Sequence, residues 1–61
     1  MNQEELANAI IEFEAKHNAT DNTLAFDSHL SVEKVHAMKS GNGSYSPEEA
    51  AQLLDFIQTN L

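Results

Sequence analysis

The sequence predicts an all-α fold, a compact bundle of four to five helices, on three observations. Apolar side chains recur three and four residues apart in successive stretches, the spacing that puts them on one side of a helix. Hydroxyl residues stand where several of those stretches begin, at Thr20, Ser31 and Ser46, and each can accept a backbone N–H that a first helical turn leaves unpaired. No segment alternates apolar and polar residues in the manner of a half-buried strand. At 61 residues the chain has room for a single domain, 1–61, with a small core. It has no cysteine, so no disulfide or thiolate metal cluster can reinforce it and packing must hold it together.

The first helix is expected from Asn2 to about His17. Leu6, Ile10 and Phe13 fall at i, i+4 and i+7, with Ala9 beside them. Glu4 and Glu5 sit where the helix dipole favours negative charge, Lys16 and His17 where it favours positive, and Glu12 can pair with Lys16 one turn on. Ile11, next to Ala7 and Ala15 and off the main stripe, reads as the flank of a wide core. Asn18 and Ala19 interrupt the helix. Thr20 then opens a short second one, Asp21 to Ser28, that buries Leu24, Ala25 and part of Phe26.

The turn His29-Leu30-Ser31 leads into a third helix, Val32 to Ser40, with Val35 and Met38 inward and Glu33, Lys34, His36 and Ala37 toward solvent. Gly41 ends it in the left-handed conformation. Two short helices joined by a tight turn make Thr20 to Gly41 a helix-turn-helix, and the rest of the chain is organised around it. Gly41-Asn42-Gly43-Ser44 is the loosest stretch, and it does not run directly into a lysine-bearing helix as a phosphate-binding loop would. Ser46 at the cap, Pro47 at the first position and Glu49 at the third form a capping box. The last helix therefore starts at Pro47 and runs to about Thr59, burying Ala50, Leu53, Leu54 and Ile57. Phe56 is placed in the core, while Leu61 fits either the core or a dimer contact.

In the order of these features, from Leu6 to about Ile57, the chain resembles the lambda repressor and Cro-type helix-turn-helix domain, also called the xenobiotic-response-element type. The resemblance rests on Ile10 and Phe13, Thr20 opening the second helix, the Leu24-Ala25 pair, and Ser31 before the third helix. It continues through Val35, Met38, Gly41 and Ser46-Pro47. It implies a lambda-repressor-like bundle whose third helix enters the major groove of DNA, with phosphates held by the start of the second helix and the loop after the third. Carried over by position, the base-reading candidates are Val32, Glu33, Lys34 and Ala37, with His36 beside them. The phosphate contacts fall on Asp21 and on Asn42, Gly43 and Ser44. The family often joins a first-helix arginine to a glutamate before the glycine. Here those places hold Glu14 and Lys39, so the resemblance implies an ion pair with the signs exchanged.

Charge pulls against a nucleic-acid partner. Ten carboxylates face Lys16, Lys34 and Lys39, with no arginine, for a formal net charge of −7. Binding to phosphates draws much of its strength from counterions released by Lys and Arg, and arginine is the usual reader of guanine. Two functions follow as expectations. One is a small transcriptional regulator that binds DNA, acting as a dimer because a single such domain selects too few bases. The other is an acidic protein-interaction module on a helix-turn-helix scaffold that no longer binds DNA, with continuous negative potential over Asp21, Asp27 and Glu33. An enzyme is not expected, because no Ser-His-Asp or Cys-His arrangement or cofactor motif is legible. His17, His29 and His36 have no metal-ligand spacing, so neither a metal nor a cofactor is expected. No apolar run could span a bilayer, and the acidic residues after Met1 are unlike a signal peptide, so a cytoplasmic location is expected and no membrane partner.

Overall fold

Each helix begins and ends at local chemistry written into the chain. The computed structural model of the protein describes residues 2–61, which form four helices rather than five: α1 Gln3–His17, α2 Asp21–Ser28, α3 Val32–Ser40 and α4 Pro47–Thr59. Asn2 is not the first residue of α1 but its cap, its side-chain oxygen accepting from Glu5 N at 2.8 Å. Thr20 and Thr23 cap α2 reciprocally, Ser31 accepts from Lys34 N, and Ser46 and Glu49 form the capping box of α4. Three helices end on a left-handed residue: Asn18 after α1, His29 after α2 and Gly41 after α3. Only the last is glycine, so the sharp turn between α2 and α3 holds a histidine in a conformation that glycine adopts at no steric cost.

Leu6, Ile10 and Phe13 of α1 meet Leu24 and Ala25 of α2, Val35 and Met38 of α3, and Leu53 and Ile57 of α4 in one core. α1 packs against α3 and α4, and α2 against α3, in a body of about 24 × 20 × 18 Å. Tyr45, Ala50, Leu54 and Phe56 close the core from the α4 side, with the Phe56 ring set edge-on to Phe13 at 5.9 Å. Gln52 of α4 also donates to Ser28 O at 2.6 Å, which ties α4 to the turn between α2 and α3. Among the described residues no helix is long and apolar enough to cross a membrane.

Among the described residues three large apolar side chains are exposed outside this core. Ile11 is 48% exposed rather than flanking the core, because α1 is covered on the sides that face α3 and α4 and Ile11 stands at the edge of the α3 contact. Phe26 is 80% exposed, not partly buried, since the eight-residue α2 turns Leu24, Ala25 and Ser28 inward and leaves its opposite face without a neighbour. Leu61 is 71% exposed beside Ala9, Phe13 and Ile57, so it does not complete the core.

Candidate functional site

The surface that the resemblance nominates consists of α3 and the loop behind it. Glu33 and His36 are exposed there, while Val32 is half-buried against the core. Ala37 is buried, contrary to the expectation that it faces solvent. The chain leaving α3 explains the difference: Asn42 N returns to Ala37 O at 3.1 Å, and Lys34, one turn before Ala37, reaches Ser44 O at 3.1 Å. The loop thus turns back at the end of α3 and meets the Lys34 side chain.

That loop is pinned rather than loose. The Asn42 side chain accepts from Ser44 N at 2.9 Å, Gly43 takes φ +77, and a side chain at Gly43 would press on Gln3. Asn42, Gly43 and Ser44 are exposed, yet the nearest cation, Lys34 Nζ, is already engaged by Ser44 O and lies 3.6 Å from Glu49. The backbone N–H of Ser46 holds the Glu49 carboxyl below the ordinary range, with the Lys34 ammonium adding to the effect.

Behind α3, Glu14 and Lys39 are brought together, with Lys39 Nζ 2.9 Å from Glu14 Oε1. The same ammonium lies 3.1 Å from Asp21 Oδ1, and His36 Nδ1 stands against Asp21 Oδ2. Asp21, which the resemblance places at a phosphate, is engaged here by Lys39 and His36. Both of its oxygens are held within a cluster that joins α1, α2 and α3.

Glu14 is only 8% exposed, and its second oxygen has no partner. Burial, and after it the neighbouring Asp21 carboxylate, push Glu14 above its ordinary value against the pull of Lys39. For Asp21 burial also acts upward, but the neighbouring Glu14 carboxyl and the Lys39 ammonium outweigh it and hold Asp21 low. Those two carboxyl groups in turn raise Lys39. One ammonium thus serves two carboxyl groups, and the His36 ring stands against Asp21 beside it.

A second feature occupies the far side of α2. Thr23 and Asp27 form one wall of a groove whose other walls are Asp55 and Phe56 of α4, its cap Asn60 and the end of α1 at Asn18. The C-terminal ends of α1, α2 and α4 all open onto it. Lys16 and His17 stand in the last turn of α1, but no basic residue stands in the last turn of α2 or of α4. Nothing in the linear order says that these three helix ends and Asp27 and Asp55 converge, so the groove is not legible in the sequence.

Among the described residues no group of three His, Asp or Glu side chains is placed to hold a metal ion, and His17, His29 and His36 lie apart. His17 stacks on Phe13 at 4.3 Å, His29 occupies the turn after α2, and His36 belongs to the charge cluster. Compared with known proteins, the chain matches no family model, no curated protein and no solved structure.

Proposed function

We propose that the protein is an acidic protein-interaction module built on a helix-turn-helix scaffold of lambda repressor and Cro type, and that it engages a basic partner protein in place of DNA. Four capped helices in the order of that scaffold support the fold, with Leu24, Ala25, Val35 and Met38 buried and a left-handed Gly41 after α3. The observation that carries the function is the state of the lysines. Lys34 is bound to Ser44 O and faces Glu49, while Lys39 is held between Glu14 and Asp21. Lys16 lies on the α1–α4 side, away from α3. A face that reads DNA gains affinity by replacing counterions with free cations, and the exposed side chains left on α3 are Glu33, a carboxylate, and His36, which stands against Asp21. Glu4, Glu5, Glu12, Asp27, Glu33, Glu48 and Asp55 make no ion pair among the described residues, which suits the surface to a cationic protein.

The competing reading is a transcriptional regulator that reads bases with α3. Its support is that Glu33 and His36 remain exposed on that helix. Titration against pooled random duplex DNA separates the two at about 50 mM and about 200 mM salt, where phosphate-driven binding changes steeply. The folded protein is expected to bind at neither. Binding at the lower salt that collapses at the higher, and that is lost in Lys34→Glu, would overturn the interaction reading in favour of the regulator.

A further inference from the structure

The outward face of α2 and the groove beside it have a chemistry of their own, which rests on the interaction reading and makes it specific. Phe26 is the most exposed of the large apolar side chains, at 80%. It stands one helical turn from Thr23 and next to Asp27, the two α2 residues that wall the groove. Across the groove, Phe56 offers the flank of a half-buried ring, and Asp55 supplies a second carboxylate.

The negative charge here is not confined to those side chains. The unpaired carbonyls at a helix C-terminus carry a partial negative charge that a cation in the last turn usually offsets. α1 and α3 have such cations, and α2 and α4, whose ends line the groove, have none. Gln52 satisfies Ser28 O and His29 O with a neutral amide, which supplies hydrogen bonds and no charge. Asp27 and Asp55 make no ion pair among the described residues, so the groove gathers two carboxylates and the ends of α2 and α4, neither with a Lys or Arg in its last turn, around the Phe56 ring.

We infer that this surface docks a cationic amphipathic helix of a different protein. Its apolar side packs on Phe26 and Phe56, and its Lys or Arg side chains reach Asp27, Asp55 and the ends of α2 and α4. Charge decides the occupant. A second copy of this chain carries the same net charge of −7 and would bring carboxylates against carboxylates, whereas a basic helix supplies the cations that both helix ends lack. An exposed aromatic ring beside a groove with charged rims is also the arrangement in which one residue carries much of the binding.

The test follows backbone amide shifts of the whole chain while a Leu/Lys amphipathic helical peptide, and separately its Leu/Glu counterpart, is added. Binding of the Leu/Lys peptide alone is expected, with the largest shifts at Phe26, Asp27, Asp55 and Phe56. Phe26→Ser should weaken that binding about tenfold or more, as should Asp27→Lys. Both residues are exposed, so the variants are expected to fold, and their amide spectra check it. Shifts spread over Glu4, Glu5, Glu12 and Glu48 would mean attraction by net charge and would overturn the site. Equal binding of the Leu/Glu peptide, no binding of either, or a homodimer closed over Phe26 in sedimentation would overturn it as well. The DNA titration stands apart from all of these: loss of the groove without DNA binding leaves the interaction reading on another face, and salt-sensitive DNA binding removes that reading itself.

Discussion

The two acidic regions of this chain differ in what their carboxylates face. Behind α3, Glu14 and Asp21 share one ammonium and a histidine and are mostly buried, with a single oxygen left unpartnered. In the groove beside α2, Asp27 and Asp55 are exposed and make no ion pair among the described residues. The first arrangement joins three helices. The second adds nothing to the fold, and its charge opposes the α2 terminus that it adjoins. A carboxylate kept where it does not stabilise the molecule is a candidate for work outside the molecule.

The sharpest way to break that contrast is to remove the shared ammonium. Lys39→Met leaves a buried Glu14 and a largely buried Asp21, with the His36 ring standing against Asp21. Breaking a buried pair costs about 3–5 kcal/mol, and because Lys39 is partly exposed the loss should fall near the lower end, at about 3 kcal/mol. Urea denaturation should show this as a lower midpoint with an unchanged slope. Glu14→Gln should cost far less, since it removes the carboxyl with the orphan oxygen and leaves Asp21 as the partner of Lys39. A midpoint for Lys39→Met within error of the parent would show that the cluster is solvated and incidental.

The same cluster sets a pH dependence of two opposite signs. Glu14 is raised above its ordinary 4.5, so its contribution to stability is present below that value and is lost as pH climbs through the raised one. Asp21 is lowered from its ordinary 3.8, so its contribution is present above that value and is lost as pH falls through the lowered one. Stability should therefore be greatest between the two and decline on the alkaline side of Glu14. Thermal melts over that range should show the alkaline decline in the parent and a flatter profile in Glu14→Gln. An unchanged decline in the variant would assign it to the general repulsion of a chain with net charge −7.

Helix limits were legible because they depend on neighbours in the sequence. Thr20, Ser31 and Ser46 cap with their own hydroxyls, and the bounds of α2, α3 and α4 follow from them. Burial was less legible, because helical spacing says which residues share a side and not how many sides are covered. Ile11 and Phe26 are exposed for that reason, and Ala37 is buried for its converse, beside a loop that turns back at the end of α3. At the charge cluster, the pairing of Glu14 with Lys39 came from matching positions in a resembling family. The entry of Asp21 depends on how α2 is carried across α3, and no local signal encodes that. The groove was invisible for the same reason, since Asp27 and Asp55 meet only through the packing of α2 and α4.

The smallest effect is also the most direct comparison of the two regions. Asp27→Lys exchanges an exposed carboxylate near the end of α2 for an ammonium, with no ion partner to lose among the described residues. A cation near a helix C-terminus stabilises by about 0.3–1 kcal/mol at low salt, so the variant should melt slightly higher than the parent, and the gain should shrink as salt is added. The opposite sign from Lys39→Met is the point. In one region reversing the balance of charge opens the structure, and in the other it tightens it. If Asp27→Lys instead lowers the melting temperature, Asp27 has a structural role that its exposure hides, and the carboxylates of the groove no longer stand apart from those behind α3.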